Sequence, residues 1–298
     1  MAQRVLVTGH TGFIGSSLFK YHQMMDDDVK GISKSTGTDV RSSELDVKNF
    51  DLIYHCASTV NDYNFLSGDS LDIDTNCLGT HRLLEALRRT NPWAKLVYVS
   101  SFFANGDPPY LPVTEQTPCY PKGLYGASKL FCENMCNSYA KTFNMDITIA
   151  RITNVYGPGN EKASMRTSAF NWMLKQIAND NAVSLYDGGR VKRDYIFITD
   201  VVAALELLGE KGLKGETYFI SSGRGVSFKD MMLTAKKAAH CGRTRYVDIP
   251  DFHSRVGIQD FWASHDKLGE LGWEPRIALE DGIRYTIQYY QKQQLKNG

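Results

Sequence analysis

Prolines are few (9), cysteines are few (6), and acidic and basic residues nearly cancel, leaving a net charge of +1. Each scarcity excludes something. Cysteines 56, 77, 119, 132, 136 and 241 lack the density and regular spacing of a disulfide framework, which points to a reducing compartment, with the cytoplasm as the default. Cys132 and Cys136 fall on one helix face, but no further cluster of cysteine or histidine completes a zinc site. No apolar run approaches the ~18 residues that span a bilayer. No signal peptide is read either, because Arg4-Val5-Leu6-Val7-Thr8 runs straight into glycines. The near-zero charge gives no electrostatic case for nucleic acid or an anionic membrane, so any bound anion must be held by a local site. Repeats, low-complexity tracts and obvious linkers are missing too.

What is present is an alternation. "RVLVT" at 4–8, "VKGIS" at 29–33, "LIYHCA" at 52–57, "KLVYVSS" at 95–101 and "DITIAR" at 146–151 are short strand-like runs. Between them lie helical patterns at 13–24, over "NCLGTHRLLEALRR", and from about Tyr125 onward. Strands alternating with helices predict an α/β fold, a doubly wound parallel sheet covered on both faces, with ligands at the carboxyl ends of the strands. After Arg151 the rhythm changes: "NVYGPGNEKASMRTS" is turn-rich, "AVSLYDGGRVKRDYIFITD" holds two short strands around Gly-Gly, and helical patterns return at 227–240 and 278–295. This predicts a nucleotide-binding domain from 1–153 and 189–220, with a smaller substrate lobe from 154–188 and 221–298.

Two local patterns carry chemistry. "TGHTGFIG" sets Gly9, Gly12 and Gly15 between a strand and a helix, where glycines permit a tight turn and let backbone approach a pyrophosphate. "LYGASKL" sets Tyr125 four residues before Lys129, on one helix face. A phenol is a poor base at neutral pH, and a fixed cation nearby favours the phenolate. Taken alone, the pair reads first as an ordinary exposed contact between helical neighbours.

With "TGHTGFIG", "DLIYHCA", "NCLGTHRLLEA", "VYVSSFFANG", "YGASK", "ARITNVYGPG", "RDYIFITDV" and "LGWEP" in this order, nearly the whole chain resembles the extended short-chain dehydrogenase/reductases of the NAD-dependent epimerase/dehydratase family, which act on nucleotide sugars. The resemblance implies that Tyr125 is the catalytic acid/base, that Lys129 holds the nicotinamide ribose, and that Ser101, favoured over Ser100, orients the reacting sugar hydroxyl. It implies a cofactor site at Gly9, Gly12, Phe13, Ile14, Gly15, Ser33, Lys34, Asp39, Val40, Cys56, Ala57 and Ser58. Asp39 would accept from the adenine amino group. It places Asn154, Arg193 and Arg255 at the substrate diphosphate, where guanidinium groups suit an anion. A homodimer is the implied assembly. His55 reads as a packed strand residue.

Departures from the family pattern narrow the reaction. Dehydratases of the family carry an acidic pair after the catalytic Thr; here Phe102 and Phe103 stand there, which argues against dehydration. The carboxylate expected to grip the ribose at the end of the second strand is replaced by Ser33-Lys34-Ser35, favouring NADP over NAD. Phe219 replaces a family asparagine, and Ser264 an acidic residue. A nucleotide-sugar epimerase of the 4-epimerase type is the expectation. A 4-keto sugar reductase consuming NADPH is the runner-up, and a catalytically silent NAD(P)-sensing scaffold the remote alternative.

Overall fold

The computed structural model describes residues 2–42, 44–60, 70–165, 167–250 and 257–297. Strands β1 (Arg4–Thr8), β2 (Asp28–Ile32), β3 (Leu52–His55), β4 (Lys95–Ser101) and β5 (Ile147–Ile152) form where β-branched and aliphatic residues concentrate. The remaining strands are β6 (Asn154–Tyr156), β7 (Ala182–Tyr186), β8 (Lys192–Arg193), β9 (Tyr195–Phe197), β10 (Thr217–Ile220), β11 (Val226–Ser227) and β12 (Arg243–Val247). The six-stranded sheet has the order β10-β5-β4-β3-β1-β2, and every pairing in it is parallel. Its direction of growth reverses between β1 and β3, which is where such sheets open a crevice for ligands.

Parallel strands buried on both faces read as nearly continuous apolar runs, and their two-residue period still sorts the side chains. Val5, Val7, Leu52, Tyr54, Val97 and Val99 share one core with Leu18, Val201, Leu205 and Leu208. That face is covered by α1 (Phe13–Met24) and α5 (Ile198–Lys211). Leu6, Ile53, Leu96 and Tyr98 pack into the opposite core with Leu83, Leu84, Leu87, Cys132 and Cys136, contributed by α2 (Gly79–Thr90) and α3 (Leu124–Phe143). Helix α3 stops at Asn144, whose φ of 59° is left-handed, a conformation asparagine adopts more readily than most residues.

A third core gathers α4 (Ala169–Ala178), α6 (Phe228–Ala239) and the last helix. Phe170, Met173, Leu174 and Ile177 of α4 recur at helical spacing and meet Met231, Met232 and Ala235 of α6, with Ile283, Ile287 and Tyr290. Those three lie on α8 (Leu279–Asn297), which follows the short α7 (Asp266–Gly269). The two strands expected around Gly188-Gly189 form, but neither pairs with the other. β7 pairs with β12, β8 with β11, and β9 with β6. No helix among the described residues is long and apolar enough to cross a membrane.

Candidate active site

Strand β4 ends with Ser100 and Ser101 at the ligand-binding edge of the sheet. The Ser100 hydroxyl donates to Glu133 Oε1 at 2.5 Å. Glu133 also holds Arg151, with Nη2 at 2.5 Å and Nε at 2.9 and 3.0 Å, in a pair that is almost wholly buried. Ser100 is therefore committed to supporting a buried ion pair. Ser101 Oγ instead accepts from the Phe103 backbone N–H at 3.4 Å, capping the turn Phe102–Ala104. A hydroxyl used as an acceptor keeps its O–H as a donor.

Helix α3 brings Tyr125 to this strand end, and Gly126 allows it. A Cβ at position 126 would stand 2.4 Å from the Phe103 carbonyl oxygen, so any other residue would push the helix away. Lys129 is 3% exposed. Its Nζ donates to the Val99 carbonyl at 2.9 Å and lies 5.1 Å from the Tyr98 ring centre and 5.9 Å from that of Tyr125. A buried ammonium needs electron-rich neighbours, and carbonyl and phenol rings supply them here. Phe103 sets its edge against Tyr125, centroids 5.7 Å apart, and Phe102 packs on Phe261 at 4.8 Å. The wall beside Tyr125 is apolar.

At the sheet's reversal point, Gly9 has φ of 69°, and a Cβ on it would meet the backbone of Ala57 at 2.8 Å. The loops after β1 and β3 are thus in backbone contact, leaving no room for a side chain. Helix α1 begins after Gly12, whose turn has no side-chain cap; its first N–H groups suit a pyrophosphate. Phe13 and Ile14 open that helix and pack inward. Cys56 donates its backbone N–H to Thr8 O at 3.2 Å. Burial pushes its thiol up to about 12, so it serves as backbone and apolar surface. Ser58 Oγ donates to Asn76 Oδ1 at 3.0 Å.

Beyond β2, Ser33 precedes the turn Lys34–Thr36, and its backbone carbonyl accepts the Thr36 N–H at 3.0 Å. Its Oγ lies 3.2 Å from Thr11 Oγ1, 3.0 Å from Ser35 Oγ and 3.2 Å from Thr36 Oγ1, with Thr11 and Ser35 2.9 Å apart. This hydroxyl cluster sits beside the glycine turn, because Gly9 N–H donates to Ile32 O at 2.7 Å. Val40 is buried. The Asp39 carboxylate receives Arg41 Nη2 at 2.6 Å and Nε at 3.0 Å, and those hydrogen bonds hold it below the usual carboxylate range. The residues present fit a dinucleotide: a turn closed to side chains, an uncapped helix start and a polar cluster at the adjacent strand end.

On the opposite side, Asn154 Nδ2 donates to the Asp194 carbonyl at 3.0 Å. The Arg193 guanidinium is turned onto the carbonyls of Lys192, Ile258 and Gln259, at 2.9, 2.6 and 2.5 Å, so it clasps the segment before Phe261. Arg255 lies outside the described residues. Phe219, standing where the family has an asparagine, is fully buried and packs on Phe261, and Ser264 Oγ caps Asp266 N–H at 3.0 Å. Two residues went unnoticed in the sequence. Asn76, in the π-helical turn Ile73–Leu78, bonds Thr59 O at 3.0 Å and Ser128 Oγ at 3.1 Å. Asp194, fully buried, accepts from Ser222 N and Oγ, Gly223 N, Ala263 N and Thr153 Oγ1 at 2.7 to 3.3 Å. Burial raises its carboxyl to about 6 despite these donors. Both lie in quoted motifs, Asn76 in "NCLGTHRLLEA" and Asp194 in "RDYIFITDV", but neither residue was singled out.

Residues 5–221 match the NAD dependent epimerase/dehydratase family, and the chain belongs to that family. It is 27% identical to the UDP-glucose 4-epimerase of Mycolicibacterium smegmatis, with 96% of this chain and 98% of that one aligned. It is 26% identical to dTDP-glucose 4,6-dehydratase 1 of Escherichia coli, over 96% and 92%. The crystal structure of the Thermus thermophilus UDP-glucose 4-epimerase in complex with NAD superposes with a TM-score of 0.85 at 25% identity, covering 97% of this chain and 99% of that one.

Proposed function

We propose that the protein is a nucleoside-diphosphate-sugar 4-epimerase that works through a transient 4-keto sugar. The observation that carries this reading is that Lys129 lies 5.9 Å from the Tyr125 ring while Phe103, whose N–H is accepted by the Ser101 hydroxyl, sets its edge against Tyr125, with Phe102 and Phe103 where a dehydratase would place acids. Ser101 orients the sugar hydroxyl, and Tyr125 takes its proton and later returns it. The buried Lys129 ammonium favours the phenolate. Phe103 keeps water from the ketone. A bound nicotinamide supplies the hydride acceptor and the returning donor. Residues 1–153 with 189–220 would bind the dinucleotide, and 154–188 with 221–298 the sugar nucleotide, with Asn154, Arg193 and Arg255 toward its diphosphate. Arg193 would have to release its carbonyl partners to do so.

NADP is the cofactor this reading prefers, because Thr11, Ser33, Ser35 and Thr36 offer hydroxyl donors, and Lys34 a cation, where a ribose-binding carboxylate is missing. The same cluster supports a second reading, an NADPH-dependent 4-keto sugar reductase. Incubation with UDP-, GDP-, CDP- and dTDP-hexoses, with and without NADPH, separates the two. Interconversion of two epimers with no net change in reduced-nicotinamide absorbance is expected. Stoichiometric loss of NADPH on a 4-keto sugar, with no epimer exchange, would reject the epimerase.

A further inference from the structure

His55 ends β3 at the sheet's reversal point, fully enclosed, and takes no part in the chemistry above. Its Nδ1 lies 2.7 Å from Thr8 Oγ1 and its Nε2 2.9 Å from Thr80 Oγ1. The direction of each bond follows from counting protons. Thr80 spends its single O–H on the Asn76 carbonyl at 2.5 Å, so it can only accept from His55 Nε2–H. The Nδ1 lone pair is then left for the Thr8 O–H. Thr8 Oγ1 in turn accepts the Ala57 backbone N–H at 3.1 Å. From the same residue a second series starts: the Asn76 side-chain Nδ2 donates to Ser128 Oγ, and Ser128 Oγ donates to the Tyr125 carbonyl at 2.8 Å. One series of donors therefore runs from Ala57, beside Gly9, to the Asn76 backbone carbonyl, and a second from the Asn76 side-chain amide to the first turn of α3, the two sharing only that residue.

We propose that His55 is a positioning residue whose fixed Nε2–H tautomer holds the cofactor loops after β1 and β3 in register with the turn carrying Tyr125. It rests on the reading of Tyr125 as the acid/base only for its consequence on turnover. The alternative states are disfavoured locally. An Nδ1–H would face an oxygen that already accepts from Ala57, and would leave Thr80 Oγ1 without its donor. An imidazolium would sit buried near the Lys129 ammonium; burial first, and that charge second, hold its pKa at about 3. A histidine serves here because few side chains offer an acceptor and a donor on opposite edges of one rigid ring.

The test uses the isosteric Thr80→Val and the hydroxyl-retaining Thr80→Ser in the full-length protein. Losing the two buried hydrogen bonds of the Thr80 hydroxyl should weaken NAD and NADPH binding by calorimetry about tenfold in the valine variant. The serine variant, which keeps the hydroxyl, should stay within about twofold of the parent. Parent-like affinity in the valine variant overturns the proposal whatever its stability, as does equal weakening in both, which would assign the effect to disturbed packing at position 80 and not to the hydroxyl. Should the valine variant fail to fold, nitrogen NMR of the unsubstituted protein decides. The His55 ring should show the neutral Nε2–H form down to about pH 5 and shift when NADPH is added. An Nδ1–H form, a titration near the ordinary histidine value, or resonances unmoved by NADPH would overturn it. None of these readouts needs turnover, so a failed epimerase assay leaves them intact.

Discussion

Ser100 and Ser101 differ by one position, and the pleat of β4 sends their side chains in opposite directions. Ser100 supports Glu133 and Arg151; Ser101 borders Phe103 and the catalytic turn. Substitutions should therefore fail differently. Ser100→Ala removes a hydrogen bond to a buried charge, so unfolding free energy should fall by about 1.5–3 kcal/mol, with kcat changed less than about threefold. Ser101→Ala should leave denaturation nearly unaltered and lower kcat about a hundredfold or more, the range of a lost positioned hydroxyl. Denaturant titration beside steady-state kinetics reads both. The opposite pattern, Ser100→Ala inactive yet stable, would reassign the catalytic hydroxyl.

On the proposed reading, the turn after β2 sets cofactor choice. Lys34 lies in the turn Lys34–Thr36 next to the hydroxyl cluster. Lys34→Asp should weaken NADPH relative to NADH at least about tenfold, because a cation becomes a like charge facing a phosphate; competitive binding of the two cofactors measures it. An unchanged ratio would place the 2′-phosphate elsewhere or remove it from the account. The element scale also explains what was legible. β1, the glycine turn and α1 could be read because the strand, turn and helix signals are contiguous, and α6 because its apolar residues recur at 3.6. The partners of β7, β8 and β9 could not, since short strands take their register from β12, β11 and β6, far off in sequence. In the site, the spacing of Tyr125 and Lys129 raised the question, and the resemblance supplied their roles. The choice between Ser100 and Ser101 leaned on the resemblance too, because no pattern says which face a strand end presents. Asp194 lay in "RDYIFITDV", but its role could not be read, because its partners come from three distant segments.

At the scale of the molecule, a chain with net charge +1 would have to hold two polyanionic ligands through local geometry: an uncapped helix start and hydroxyl turn on one side, arginines on the other. Asp194 joins Thr153 at the end of β5 and Ser222 after β10 to Ala263 of the C-terminal segment. On the proposed reading, one sugar is oxidised and reduced again without leaving, which is the central claim. Its most direct test is a nucleotide hexose carrying deuterium at C4, incubated in ordinary water with the protein, NADP+ to accept the hydride, and unlabelled NADPH as competitor, with product analysed by NMR and mass spectrometry. The account predicts epimer exchange with deuterium retained at C4 of both epimers, because the same hydride leaves and returns. Epimers carrying protium at C4, whether drawn from water or from the added NADPH, would contradict it.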